Sequence, residues 1–512
     1  MATRSTRRTF LHRSATGAAG VGAAWGAVSS PLLSGLQPVS AAEATLDPAI
    51  VRFTPEIEPL VRLLEETPRE QVLQAFATQV RQGTSYREIL AALLLAGVRN
   101  VQPRPAVGFK FHAVLVVNAA HLASLSSPDE DRWLPIFWAL DYFKSSQARD
   151  VQEGNWTMAP VDESAVPTAD RAGEMFTQAM NDWDEPAADA AVASLARSAG
   201  AQEIFERFAR FGARDFRSIG HKAIFVANSW RTLQCIGWQY AEPVLRSLAY
   251  ALLNHEGDAH PATSDLAADR PWRDNQQLAQ QIRAGWRQGK HDPSATRELL
   301  AAFRTHSPRE ASQQVVDMLN REVSVQSIYD ALFLAAGEML ARQPGIVALH
   351  AVTSTNALHF AFRHAANDET RRMLLLQNAA FLPMFRDSMN SRGAVGEMEL
   401  DQLEQTPVAA DSEPVAQIFH DISHDRNLAA RKLLAHLKSG ADAADVMRMG
   451  RQLVFLKGTD AHDYKFSSAA LEDYYQISPA WRDYFLASSV FQMRGADDPN
   501  NGLIDRIREA VG

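Results

Sequence analysis

Cysteine is almost missing from this chain of 512 residues, where Cys235 stands alone. A single thiol cannot close an intramolecular disulfide, and its isolation excludes cysteine-rich zinc and iron–sulfur sites. Positive charge is also in short supply: 51 Lys and Arg stand against 60 Asp and Glu, a formal net charge of -9. Phosphate binding needs a basic surface, so nucleic acid is excluded as a partner. No Gly-rich phosphate loop, Walker motif or Gly-x-Ser-x-Gly elbow is present, which argues against nucleotide and dinucleotide chemistry. Period-two alternation of Val and Ile is nearly absent, so the pattern that builds half-buried strands is lacking.

The amino terminus carries an address. Thr6-Arg7-Arg8-Thr9-Phe10-Leu11-His12 leads into a mild Ala/Gly stretch and then Val39-Ser40-Ala41, small residues where a signal peptidase cuts. Residues 1–41 are read as a twin-arginine signal peptide, with the Tat translocase as partner and a periplasmic or otherwise exported destination. The apolar part is broken by Gly, Ser and Pro and is too short to form a membrane span. That route carries proteins already folded, which raises the expectation of a bound cofactor. Residues 42–512 are expected to form a single all-helical domain, and about 470 residues suffice for a large core.

What is abundant is helical periodicity. Segments of Ala, Leu, Arg, Glu and Gln place apolar residues at i, i+3, i+4 and i+7, as in Tyr86 to Gly97, Ala201 to Ala213, Ser327 to Gln343 and Ala443 to Lys457. The chain also repeats itself. Phe111-His112-Ala113-Val114 through Asn118 to His121 matches Leu349-His350-Ala351-Val352 through Asn356 to His359. Both read His-Ala-Val, Asn six residues after the first His, and His nine after it. Gly220-His221-Lys222-Ala223 with Asn228 is a looser copy, and Ala461-His462-Asp463-Tyr464-Lys465-Phe466 a more degenerate one. Similar helices precede the first and third copies, Ser85-Tyr86-Arg87-Glu88 and Ser327-Ile328-Tyr329-Asp330, and further helices are predicted to begin near Pro135, Pro243, Thr370 and Pro479. The expected fold is all-α, with about four helical modules around a shared core and one histidine near the start of each central helix.

At about 100° per residue, positions nine apart fall on opposite faces of a helix, so His112 and His121 cannot share an ion, nor can His350 and His359. Convergence must come from different modules, each contributing its leading histidine: His112, His221, His350 and His462. Bundles build metal sites from side chains on facing helices, and neutral imidazoles suit iron, copper or zinc. The competing reading keeps each histidine as a packing residue of the core. Lys465 lies one turn after His462 and could ligate only as a neutral amine or after carboxylation; otherwise it is a solvated surface cation.

Two further groups of histidines stand close together in the sequence. His420 and His424 stand four apart, a chelating spacing on one helix face, in what reads as an exposed linker without the glutamate of a metalloprotease motif. His255-Glu256-Gly257-Asp258-Ala259-His260-Pro261 reads as a polar turn.

His350-Ala351-Val352-Thr353 followed by Asn356-Ala357-Leu358, together with Asp460-Ala461-His462-Asp463-Tyr464-Lys465 and the all-helical length, resembles the questin oxidase-like family. The resemblance implies an oxidoreductase, since that family is associated with oxygenative opening of anthraquinone-type rings and some members look like non-haem iron oxygenases. It implies His350 and His462 as ligands, with Lys465 next; His112 and His221 follow from the internal repeat alone. An export signal and an extra amino-terminal portion depart from the family pattern. The expectation is a metal-dependent oxygenase using Fe(II) or another transition metal, O₂ and a small aromatic or quinone-like substrate, with Phe111, Trp138, Trp230 and Tyr464 available to line a pocket or simply to fill the core. The alternatives are an exported, non-enzymatic helical-repeat protein that binds a partner on a concave face, and a haem protein with one axial histidine.

Overall fold

The computed structural model describes residues 57–511 apart from 104–108, 256–259, 262 and 410–412. The signal-peptide reading of residues 1–41 lies outside the described residues, as do residues 42–56 of the expected domain. Among the described residues there are twenty-two α-helices and no β-strand, only one isolated bridge between Lys290 and Val323. The all-α expectation holds because apolar positions recur at helical spacing and helix starts are marked by capping residues. Ser85 and Ser307, for example, each form a capping box, with Glu88 and Glu310 respectively. Among the described residues no helix is long and apolar enough to cross a membrane.

Four helices form the inner bundle: Phe109–Ser126, His221–Ile236, Ile346–His364 and Ala461–Asp473. They pack in a closed ring in chain order, each against the next and the last against the first. His112, His221, His350 and His462 all lie within the first five residues of their helices. Because these four residues meet, the four helix starts gather at one end and the inner helices run parallel. Parallel neighbours cannot be joined by a short turn, which is why helices intervene between each pair. Tyr86–Asn100 and Leu134–Glu153 pack on the first inner helix, Ala201–Gly212 and Ala241–Leu253 on the second, Val325–Arg342 and Asp368–Asn390 on the third, and Ala443–Lys457 on the fourth. Arg482–Ser488, which follows the fourth, packs on Val325–Arg342 and Arg426–Lys438. Buried apolar side chains from Val61 to Ala510 make one contiguous cluster.

Hydrogen bonds between side chains and neighbouring helices tie every edge of the ring beyond the histidines. Asn118 donates to Asn228 Oδ1 (3.4 Å), and Asn228 donates to the Leu115 carbonyl (3.0 Å). Arg231 donates to Asn356 Oδ1 (3.2 Å) and Glu472 (2.7 Å), while Asn356 donates to Asp473 Oδ1 (2.7 Å). Ser468 closes the circuit on the Ala119 carbonyl at 3.1 Å. A polar group in such a core is tolerated because its partners are supplied by the adjacent helix.

The entry to the second inner helix is the tightest point of the backbone. Ile219 (φ 43) and Gly220 (φ 80) occupy consecutive left-handed positions, a conformation unfavourable for a β-branched residue. This turn folds the Ser218 carbonyl back over His221. Nearby, Lys222 Nζ donates to Asp215 Oδ2 at 2.8 Å in a buried ion pair that anchors the same turn. A Cβ on Gly220 would meet Ser354 Oγ of the third inner helix at 1.8 Å. Gly220→Ala is therefore expected to destabilise by about 2–4 kcal/mol, from the left-handed penalty plus overpacking. Gly83 has φ +95 but open space around it, so Gly83→Ala should lose only about 1–2 kcal/mol. Urea denaturation of both variants checks the difference; equal losses would show that the contact with Ser354 is not tight.

Candidate metal centre

Four imidazoles from four helices converge at the gathered helix starts. One nitrogen from each of His112, His221, His350 and His462 lies within 4.8 Å of all the others. His221 Nε2 stands 3.1 Å from His112 Nε2 and 3.0 Å from His350 Nε2. His462 closes the group edge-on, its ring centroid 4.5 Å from His112 and 5.2 Å from His350. His112, His221 and His350 are at most 2 % exposed, and His462 is partly buried.

The outer nitrogens decide what the inner ones can do. His221 Nδ1 lies 2.7 Å from the Ser218 carbonyl, and His350 Nδ1 lies 2.6 Å from the Ile346 carbonyl. A carbonyl only accepts, so each Nδ1 carries the proton and each neutral ring turns a bare lone pair inward at Nε2. His462 Nδ1 faces Asp460 Oδ1 at 3.2 Å, which leaves its Nε2 as a lone pair buried without a partner. His221 and His350 thus aim lone pairs at one another across 3.0 Å. Protonation would relieve this, but burial and the nearby Lys465 charge hold His112 and His221 well below the usual imidazole range, and burial and His221 do the same for His350. A metal cation among the four rings would resolve the conflict. Nitrogens at ~2.1 Å from one ion and at right angles to each other are ~3.0 Å apart, so the short edges fit.

Lys465 lies near enough for its charge to act on all four rings. It is 3 % exposed rather than solvated, its Nζ has no hydrogen-bond partner, and burial pushes it down to about 7. A neutral amine is therefore within reach near neutral pH.

The second histidines of the repeat point elsewhere, as opposite helix faces require. His121 lies 3.1 Å from Tyr86 Oη and 3.0 Å from Cys235 Sγ. His359 packs on Tyr329 and Phe333, with centroids 4.5 and 5.1 Å away. The side chain of Phe111 lies outside the described residues. Trp138 and Tyr464 stack on each other at 3.5 Å, and Trp230 packs against Phe205 and Trp238, so these rings fill core space and do not frame an open slot. Three surface depressions, near Arg207, Trp286 and Trp272, include none of the four histidines. His255 meets Trp183 edge to face, with centroids 5.4 Å apart, while residues 256–259 of the predicted polar turn lie outside the described residues. His420 and His424 sit in a helix, Pro414–His424, and not in a linker.

Sequence reasoning missed the groups that orient the rings: the Ser218 and Ile346 carbonyls and Asp460. The last had a signal, since Asp460 caps the fourth inner helix by accepting from the His462 backbone N–H at 2.7 Å. No family model, curated protein or solved structure matches the chain.

Burial pushes His121 down to about 4 and His359 down to about 3. Both folded values lie below the unfolded value of about 6.5, so the stability they permit is complete above pH 6.5 and is lost as pH falls, because only the unfolded chain takes up the protons. The loss runs from about pH 6.5 down to about 4 and 3, and reaches about 2 kcal/mol per imidazole at pH 5. Denaturation at a series of pH values should show the pH slope reduced by about one proton in each of His121→Gln and His359→Gln. An unchanged slope would refute the assignment.

Proposed function

We propose that His112, His221, His350 and His462 hold one first-row transition-metal ion, iron in the working reading, in an exported oxidoreductase that uses O₂ on an aromatic or quinone-like small molecule. One observation carries the metal: two imidazoles, with outer protons held by carbonyls, face lone pairs at each other in a buried space. When bound, the ion would supply one-electron redox chemistry and Lewis acidity toward oxygen ligands. The oxygenase half rests on the resemblance of the His350 and His462 segments to the questin oxidase-like family and on the donor set.

The chain's own residues shape the chemistry around that ion. Ser218, Ile346 and Asp460 fix the tautomers and orientation of three rings, so the donors are preorganised. Four helix starts direct their positive ends at the site. Lys465 adds a titratable amine, and the four-nitrogen set brings no carboxylate of its own. The surroundings therefore favour an anionic partner such as a phenolate or a reduced oxygen species. Lys465 can give up or hold a proton beside it. Four imidazoles converging on one point leave no plane for a porphyrin, which disfavours the haem alternative.

Elemental analysis of the untagged mature protein, purified without chelators, tests this beside the His350→Ala/His462→Ala double variant. Near-stoichiometric iron in the parent and its loss in the variant is the expected result, followed by O₂ uptake with polycyclic phenols or quinols that the variant lacks. A different metal would replace iron in the reading. No metal in the parent would overturn it.

A further inference from the structure

A second convergence of donors lies on the surface. His420 and His424 are one helical turn apart on the last part of Pro414–His424, with their side chains 52 % and 58 % exposed. His420 Nδ1 and His424 Nε2 both approach the same oxygen, Asp497 Oδ2, at 2.6 and 2.8 Å. All three donors lie within 4.8 Å of one another. Two histidines at i and i+4 already form a chelate on one helix face, since the backbone holds both rings at the right separation.

The carboxylate is not brought there by the histidines. Its segment is fastened to the helix independently. Ala496 N donates to the Phe419 carbonyl (2.8 Å), Asp497 N donates to Ser423 Oγ (3.1 Å), and Ser423 Oγ donates to Asp498 Oδ1 (3.0 Å). The approach is so close that a Cβ on Gly495 would meet Ser423 Oγ at 2.0 Å, so only glycine fits. A third ligand fixed in place before the ion arrives lowers the ordering cost of binding.

We propose that His420, His424 and Asp497 form a surface site for a divalent transition-metal ion of the zinc class, separate from the interior histidines. Two imidazoles, one carboxylate and an open position for water make up the three-plus-one donor set that zinc accepts. Exposed rings need only a tautomer exchange with water to turn Nδ1 of His420 and Nε2 of His424 into lone pairs. As a simple hydrogen-bonded trio the group would contribute little, because exposed His–Asp contacts are worth about 1 kcal/mol or less. Bound to an ion, it becomes a clasp. It would pin residues 495–498 to the helix, and with them Arg494, which donates to Asp463 beside His462 at 2.6 Å.

The test is a titration of the untagged mature protein with Zn²⁺ alone, followed by calorimetry, in three forms: parent, His424→Ala and Asp497→Asn. The parent should bind one equivalent more than His424→Ala, and Asp497→Asn should weaken that equivalent about tenfold or more. Hydrogen exchange of the 495–498 amides should slow on addition of Zn²⁺ in the parent and stay unchanged in His424→Ala. All three positions are exposed, and circular dichroism checks that each variant folds. Equal stoichiometry in parent and His424→Ala, or an unaltered affinity in Asp497→Asn, would overturn the proposal. The interior histidines are intact in every form, so neither result depends on what they hold.

Discussion

Two neutral imidazoles that point lone pairs at each other from 3.0 Å, buried inside a helical bundle, are the constraint from which the rest follows. In water such rings would rotate or take up a proton. Here the Ser218 and Ile346 carbonyls hold the outer N–H groups, and burial disfavours the charged form. A buried acceptor without a donor costs about 1–3 kcal/mol, so a cluster of them favours something positive among them. The four-helix ring, its strained entry at Ile219 and Gly220, and the Asp460 cap all serve to hold these nitrogens in a geometry they would not choose alone.

Why the bundle keeps that geometry is answered further along the same helices. Parallel helices whose positive ends meet repel one another at the site, and neutral rings add no attraction between them. The compensation is the polar belt of Asn118, Asn228, Arg231, Asn356, Ser468 and Asp473, where each neighbouring pair of inner helices exchanges at least one hydrogen bond. Burial and the adjacent Glu472 hold Asp473 well above the usual carboxylate range, so it resists ionising even though Asn356 and Arg231 reach toward it. A belt made of asparagines, one arginine and a reluctant acid fixes register and azimuth, which apolar packing alone leaves loose. Register is what the histidine cluster needs, because one residue of slip would turn a histidine about 100° away.

Much of this could be read from the residues, and the failures have a physical pattern. Helix positions were legible because period and caps are local: Ala443–Lys457 matches to the residue, and Tyr86–Asn100 extends three residues past its expected end. The exclusion of His121 and His359 from the ion followed from helix geometry alone. The asparagine six residues after His112 and His350 was visible as a repeat mark, yet its role depends on what the next helix presents, which no single segment encodes. The tautomer-fixing carbonyls were invisible for the same reason, since every residue has one and only the fold says which one meets a ring. His420 and His424 read as a linker pair because their partner, Asp497, lies more than seventy residues away in sequence.

Burial also bears on when the two sites would be filled. An ion held by three side chains that are 2 % exposed or less, with only His462 at 15 %, would exchange slowly with solvent once the helices have closed, which favours its capture as the chain folds. A surface trio about half exposed exchanges with whatever ions surround the finished protein. If residues 1–41 act as a twin-arginine signal, these two situations fall on opposite sides of a membrane. The interior site would then be loaded in the compartment of synthesis, where the cell controls which ion is offered, and carried out closed. The affinity order of divalent ions does not favour iron over copper or zinc for imidazole donors. An interior iron would therefore be a choice made by timing and compartment, with the closed bundle preserving it against ions that bind the same donors more tightly.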